Sequence, residues 1–386
     1  MARKGKKGRN IGNRNQGAAA ARGSGRGAGQ TGRGRGPGII HQGSKDKKAG
    51  RGAGVAQRRH EAKLRRKGLG QGQLGAPLGK VVEEVRVDGF VRHSEITRAH
   101  SDAVMAIAMT PEFIYTASRD KSLKRWKVGR SAAGRFELNL DINVPLGDLC
   151  WSMVMVGEWI FCGLGDGTIK GFSKTGQEAT LKMHTKRVAS LLIHQNVLIS
   201  AGSDGAVRLW QADPSGSFQC THTVTEGLSS AITCVAVLAE HLWVGGTSGV
   251  AVIELASLRV VHQIAPKKFV AGFLEFQGHL IVAYADGQLC IFDHAGVKKH
   301  DQPPLDAGPI IALAGLESGP RLLCGHAKGQ MSSMVLPDFQ LKTSWQSLDK
   351  CKVQSICCTG QDGIFLVGAE NGNLQVWQRS DAFVQV

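Results

Sequence analysis

A chain of 386 residues that is 42% hydrophobic has enough apolar material for a sizeable core, and its formal charge of +17 marks it as basic. It contains no run of 18 apolar residues, so no membrane-spanning helix is expected. The opening MARKGKKGRN is followed by no apolar stretch, which excludes a secretory signal, and its Gly content argues against the amphipathic helix of a mitochondrial presequence.

The charge is concentrated at the start. Residues 1–80 hold 21 Lys and Arg against Asp46 and Glu61, a net of +19, whereas residues 81–386 hold 27 against 29, a net of −2. The same 80 residues contain 21 Gly and no Phe, Tyr or Trp. Such a segment cannot bury enough apolar surface to offset the ~1–2 kcal/mol per residue that backbone ordering costs. The sequence therefore predicts a disordered, basic, Gly/Arg-rich arm over residues 1–80. Within it, GSGRGAGQTGRGRGPG (23–38) is a Gly–Arg tract, and RRHEAKLRRKG (58–68) is a basic cluster able to become helical on a partner.

Near residue 80 the texture changes. KVVEEVRV brings β-branched residues, and Phe90 is the first aromatic. From there on, short apolar runs alternate with Gly, Asp and Asn turns, the pattern of many short strands in one all-β domain over 81–386. GFVRHSEITRAH (89–100) has strand alternation, and we expect residues 90–97 to close the domain by pairing with its last repeat. The repeats themselves follow a turn motif. A turn residue stands at Asp120, Asp166, Asp204, Ser248, Asp286, Lys328 and Asn371, at intervals of 46, 38, 44, 38, 42 and 43 residues. Gly follows it at six of the seven, and six residues beyond it stands Trp126, Phe172, Trp210, Phe292 or Trp377, with Glu254 and Met334 in the two departures.

A tight hairpin needs a residue tolerant of positive φ, hence Gly after Asp, and the Asp carboxylate accepts backbone N–H groups of the turn. The aromatic at the end of the next strand fills the space between adjacent sheets. One such unit leaves an apolar face exposed that its neighbours cover, and a period near 40 in strand-rich units is the mark of a propeller. The expected fold is a seven-bladed, four-stranded β-propeller over about 88–380.

These residues resemble the WD-repeat family, whose repeats carry a Gly-His pair before the innermost strand; here AH (99–100) and MH (183–184) occupy that place. The resemblance implies a structural hydrogen-bond set in two repeats: His100, Thr116, Asp120 and Trp126 in one, His184, Ser200, Asp204 and Trp210 in the other. WIFCGLGDGTIKGF (159–172), VLPDFQ (335–340) and KVQSICCTGQDGIFLVGAENGNLQVW (352–377) further resemble plant-type CCCH zinc-finger WD-repeat proteins. Those relatives carry Cys₃His fingers ahead of the propeller, which imply RNA binding. This chain has no Cys before Cys150, so zinc binding is not carried over.

Catalytic constellations are not found. Cys220 and His222 form one C-x-H, but no second pair has metal-ligand spacing, and no zinc site is expected. GAPLGKVV (75–82) has the wrong Gly spacing for a phosphate loop, and Val81 stands where Mg²⁺ needs a hydroxyl. Cys357–Cys358 lies in an apolar run and reads as core. We expect no enzyme activity, no cofactor, no metal and no small-molecule substrate.

The binding expectations are two. Arg and Lys spaced by Gly form a flexible polycation that follows phosphates, with no aromatics to stack bases, so Arg22, Arg26, Arg33, Arg35, Arg51, Arg58, Arg59, Arg65 and Arg66 are candidate contacts to RNA without sequence preference. The competing reading is a nuclear or nucleolar address alone. No apolar anchor accompanies the charge, so membrane binding is not expected. For the ring, the resemblance implies a protein-docking platform. The loops entering the innermost strands and the turns are expected on one face, gathering Arg119, Lys186, Arg187, Lys267, Lys268, Lys328 and Lys352, either as ordinary solvated cations or as a docking surface. The expectation is a nonenzymatic scaffold, nuclear, nucleolar or cytoplasmic, docking protein through the ring and touching RNA through the arm. The alternative is a substrate-recognition or adaptor subunit of a ubiquitin ligase or similar complex, its arm only an address.

Overall fold

The computed structural model describes residues 85–87, 89–130, 136–213, 216–265, 267–359 and 363–380. The chain divides into the units Met1–Gly72 and Gln73–Val386, and the described residues belong to the second. The arm expected over 1–80, with its nine candidate arginines, lies outside them.

Two short strands, β1 (Val85–Val87) and β2 (Phe90–Ile96), lead in. Six blades follow in chain order. Blade 1 is β3 (Val104–Met109), β4 (Phe113–Ser118), β5 (Ser122–Arg130) and β6 (Phe136–Pro145); blade 2 is β7 (Cys150–Val156), β8 (Trp159–Leu164), β9 (Thr168–Ser173) and β10 (Glu178–Lys182). Blade 3 is β11 (Val188–His194), β12 (Val197–Gly202), β13 (Val207–Ala212) and β14 (Phe218–Val224); blade 4 is β15 (Ile232–Leu238), β16 (His241–Gly246), β17 (Gly249–Glu254) and β18 (Arg259–Ile264). Blade 5 is β19 (Val270–Phe276), β20 (His279–Tyr284), β21 (Leu289–Phe292) and β22 (Lys298–Gln302); blade 6 is β23 (Ile310–Leu316), β24 (Arg321–His326), β25 (Gln330–Val335) and β26 (Gln340–Gln346). Blade 7 takes β27 (Val353–Cys358), β28 (Ile364–Ala369) and β29 (Leu374–Arg379) from the end of the chain. The first strand of every blade packs against the first strand of the next, and β27 packs against β3, so the seven blades form a closed ring.

Closure uses the expected segment. β2 pairs antiparallel with β29, from Phe90↔Arg379 to Ile96↔Leu374. It is not the outermost strand, however: β1 pairs outside it (Val85↔Arg92, Val87↔Phe90), so this sheet has five strands in the order β1-β2-β29-β28-β27. Pairing the two ends of the domain satisfies the backbone of β29, which would otherwise be an open edge.

The turn residues do what their types dictate. Asp120, Asp166, Asp204, Asp286 and Asn371 each accept the backbone N–H two residues on, at 2.9–3.3 Å. The Gly that follows is required twice over. At Gly167 (φ 85°) and Gly372 (φ 84°) the backbone is in the left-handed region, and a Cβ would collide with the carbonyl oxygens of His184 and His100, against which the turns press. Blade 1 alone has a side chain here, Lys121, held at φ 67°.

Each innermost strand carries a bulge in its first turn of ladder, stepping over Met105, Trp151, Ala189, Thr233, Ala271, Ile311 and Gln354. A bulge re-aims the extra residue out of the ladder. Between the blades, Trp126, Trp210 and Trp377 are buried, and Met334 is fully buried in its blade at the aromatic's place, whereas Glu254 is exposed.

Candidate protein-docking face

One face of the ring is built by a repeated backbone bond. The residue after the second strand of each blade donates its N–H to a carbonyl just ahead of the first strand: Arg119 to Ala103, Gly165 to Leu149, Ser203 to Arg187, Thr247 to Ala231, Ala285 to Phe269, Ala327 to Pro309 and Glu370 to Lys352, all at 2.9–3.2 Å. Turns and incoming loops therefore share one face, and the side chains at these positions are displayed around its centre.

Two blades brace this face with a buried relay. In blade 1 the Trp126 indole N–H donates to Thr116 Oγ1 at 2.8 Å, and Thr116 Oγ1 lies 2.7 Å from His100 Nε2. His100 Nδ1 lies 2.9 Å from Asp120 Oδ2, which also accepts the Ser101 N–H at 3.0 Å. An indole can only donate, so the Thr116 hydroxyl is free to donate to Nε2, and the imidazole proton sits on Nδ1, facing the carboxylate. Blade 3 repeats the set: Trp210 to Ser200 at 2.8 Å, Ser200 to His184 Nε2 at 2.8 Å, His184 Nδ1 to Asp204 at 2.9 Å, and Thr185 N–H to Asp204 at 3.0 Å. Arg208 adds an ion pair to Asp204 at 3.1 Å. Burial pushes His100 and His184 below the usual imidazole range, against the pull of their carboxylates, so the relay holds neutral histidines. Burial pushes Asp120 and Asp204 up, but the hydrogen bonds from His100 and Ser122, and from His184 and Thr185, hold both below the ordinary carboxylate range.

A third histidine, absent from the sequence expectation, stabilises blade 6. His326 Nδ1 donates to the Gly308 carbonyl at 2.9 Å, and its Nε2 lies 2.9 Å from Ser332 Oγ. Here a backbone carbonyl takes the place of the carboxylate, which is why Lys328 is tolerated at the turn. Blade 7 substitutes an amide. Gln375 Oε1 accepts from Trp377 Nε1 (2.8 Å) and Ser347 Oγ (2.7 Å), and its Nε2 donates to the Ser347 carbonyl at 3.0 Å.

The seven cations expected on the face do not act as one cluster. Arg119 pairs with Asp102 at 3.2 Å, Lys268 with Asp286 at 2.9 Å and Lys352 with Glu370 at 2.5 Å. Arg187 lies 4.4 Å over the Trp151 ring and donates to Ser203 Oγ at 2.8 Å. Lys186, Lys267 and Lys328 are exposed and make no ion pair among the described residues. Lys328 borders an open cleft of about 630 Å³ with Asp306, Asp349 and Lys350, where the charges balance. Trp151 was not singled out from sequence. It is half-buried on the blade 2 bulge, and an aromatic in an innermost strand gave no sign that the bulge would turn it to the surface.

Residues 176–211, which hold the complete blade 3 relay, match the family described as WD domain, G-beta repeat. The chain is a seven-bladed β-propeller that carries a WD repeat. This WD-repeat propeller is 25% identical to the zinc finger CCCH domain-containing protein 62 of Arabidopsis thaliana, over 72% of the chain and 67% of that protein. It is 22% identical to the zinc finger CCCH domain-containing protein 59 of the same plant, over 72% of the chain and 59% of that protein, and 30% identical to human striatin over 29% of the chain and 18% of striatin. Thus the WD-repeat propeller spans about two thirds or less of these relatives. Among solved structures, the crystal structure of the WD40 beta propeller domain of Doa1 superposes with a TM-score of 0.63 at 14% identity, covering 76% of this chain and 98% of that one, which is a likeness of fold.

WD40 propellers as a fold are generally non-catalytic scaffolds for protein interaction, and these matches indicate no enzyme family. Among the described residues no group of three His, Cys, Asp or Glu is placed to hold a metal ion, and no helix is long and apolar enough to cross a membrane.

Proposed function

We propose that this protein is a nonenzymatic scaffold that docks a protein on the loop-and-turn face of its ring and contacts RNA through its basic arm. The observation that carries the reading is the separation of charge: a net of +19 lies in residues 1–80 and −2 in residues 81–386. A nearly neutral ring suits partner docking through shape and local contacts. A Gly-spaced polycation suits phosphates, because counterion release supplies affinity without fixed geometry. The same arm serves as a nuclear or nucleolar address. Two of the relatives are named for CCCH zinc fingers; residues 1–80 hold no Cys, and it is their charge that suits the arm to nucleic-acid contact.

The test compares affinity purification and RNA crosslinking of the full chain with those of a fragment, 81–386, that retains every strand of the described residues. The scaffold reading expects both to capture the same protein partners, and only the full chain to crosslink RNA. Equal RNA crosslinking by the fragment removes the arm from the proposal. Co-purification of a ubiquitin-ligase core that survives RNase replaces the scaffold with the adaptor reading.

A further inference from the structure

We propose that the docking site of the ring lies over blades 2 and 3, and that its ligand is an acidic peptide segment carrying an apolar side chain. This rests on the reading of the ring as a protein-docking scaffold and gives that reading a place and a chemistry.

The sector is contiguous. Arg187 covers one side of the Trp151 ring at 4.4 Å. The turn at Gly165–Gly167 packs directly beneath, since a Cβ on Gly167 would collide with the backbone of His184 and meet Lys186 O at 3.0 Å, and one on Gly165 would meet Trp151 Nε1 at 3.3 Å. Gly165 occupies the position that holds Arg119, Ser203, Thr247 or Glu370 in other blades, and the Asp148 carboxylate stands where its side chain would be, 2.9 Å from the Cβ position, beside the half-buried indole. The Trp151 N–H has no hydrogen-bond acceptor among the described residues. Lys182 pairs with Thr168 at the rim of the same turn, and Lys170 Nζ lies where a Cβ on Gly147 would meet it at 3.5 Å.

Charge and apolar exposure coincide in this sector. Lys170, Lys182 and Lys186 make no ion pair among the described residues, in contrast to Arg119, Lys268 and Lys352, each matched to a carboxylate. Two acids lie close by. Asp148 is offset by Lys121 at 3.4 Å, and Asp166 is exposed and accepts its own turn N–H at 2.9 Å. The balance is positive. Met183, between the two exposed lysines of the loop, is 48% exposed. A partner with carboxylates alone would leave Met183 and the indole edge uncovered. A nucleic acid would stack a base on Trp151, whose face Arg187 already occupies. An acidic segment with one apolar side chain satisfies both, and the charge complementarity speeds the encounter.

The test uses the full chain and a short Asp/Glu peptide bearing one photoreactive benzoylphenylalanine. Expected crosslinks fall on Met183, Trp151 and the loop between Lys182 and Arg187. In Lys182→Glu/Lys186→Glu, which alters two exposed side chains without hydrogen bonds in the fold, their yield drops about tenfold, while the melting temperature stays that of the parent. Lys352→Glu keeps the yield. Crosslinks confined to residues 1–80 or to blades 5–7, an unchanged yield in the double variant, or stronger crosslinking of the same loop to an oligouridylate would each overturn the proposal. If the double variant still captures the ring's protein partners, the sector is wrong and the scaffold reading stands; if the ring captures no protein, the scaffold reading fails first.

Discussion

Ser355 donates its hydroxyl to the Val104 carbonyl at 2.7 Å, joining the innermost strand of the last blade to that of the first. Ser152 makes the same bond to Val188 at 3.0 Å, and Thr233 to Val270 at 2.7 Å. At the matching places blades 1, 5 and 6 have Ala106, Gly272 and Ala312, which have no donor to give. The blades are thus stapled unevenly, and the point of closure is one of the stapled ones.

Ser355→Ala should therefore destabilise the ring. Both partners are buried, and the orphaned carbonyl adds its desolvation to the lost bond, ~1–3 kcal/mol in all. Ser257→Ala, which removes only two exposed bonds, the one donated to Glu254 and the one accepted from the Arg259 N–H, should change stability little. Urea unfolding of the two variants checks the contrast, and equal midpoints would remove the staple.

Asp204→Ala should cost more than Asp286→Ala. The Asp204 side chain is 6% exposed and serves His184, Thr185 and Arg208, so its loss leaves buried donors without a partner, ~1–3 kcal/mol. The Asp286 side chain is 52% exposed and pairs with Lys268, an interaction solvent reduces to about 1 kcal/mol or less. Denaturant midpoints decide between them.

The ring was legible in the sequence because its signal is local. Asp, Gly and an aromatic six residues on are all set by one hairpin, and seven copies give the blade number. The relays of blades 1 and 3 were legible through side chains alone. What stayed hidden depends on atoms or distances that residue types do not encode. His326 is held by a backbone carbonyl, which any residue provides. Gln375 replaces a His relay with an amide that also reaches Glu95 on the closing strand, at 3.3 Å. β1 adds a fifth strand through three residues, VRV, too short for any alternation to show. Which cations of the face are neutralised was hidden too, since Asp102, Asp286 and Glu370 come from the opposite side of each turn-and-loop contact to pair with three of the seven.

Acid should weaken the ring in two stages. Burial lowers the pKa of His100, His184 and His326 from 6.5, so between that value and the folded pKa the unfolded chain binds protons the folded one refuses. Their contribution is complete above about pH 6.5 and declines as pH falls, by up to ~1.4 kcal/mol per pH unit for each histidine. Asp120 and Asp204 are lowered from 3.8 and add a second loss below it. Urea midpoints from pH 8 to pH 5 should fall, and His326→Gln should start lower at pH 8 but fall less steeply. A flat profile would mean that these histidines titrate in the fold as they do in the unfolded chain.

Removing residues 1–84 should leave a monomeric, cooperatively folding ring, whereas removing residues 1–98 should not. The second deletion takes β2 with it, exposing the edge of β29 and the amides of half-buried Asn373 and buried Gln375, which donate to Glu95 at 2.9 and 3.3 Å. It also uncovers Trp345, against which Phe90 stacks with ring centroids 4.8 Å apart. An open edge beside an apolar surface invites pairing between chains. Size-exclusion chromatography and thermal unfolding of the two fragments would show it, and a monomeric 99–386 with an unchanged melt would contradict the closure.

The arm should bind RNA by charge alone. If about six phosphates are neutralised, raising salt from about 50 to 200 mM should cost ~10³-fold in affinity. Replacing Arg22, Arg26, Arg33, Arg35, Arg51, Arg65 and Arg66 with Gln should remove most of that salt slope while the melt of the ring stays unchanged. Replacing them with Lys should cost little, because a point charge satisfies a phosphate even without the planar guanidinium fork. Competition with unrelated RNA sequences should be nearly equal, since residues 1–80 contain no aromatic on which a base could stack. Filter binding at several salt concentrations reads all of these. Should 81–386 bind as tightly as the full chain and with the same slope, the arm is an address, and the half-buried Lys170 and the exposed Lys182 and Lys186 become the phosphate contacts instead.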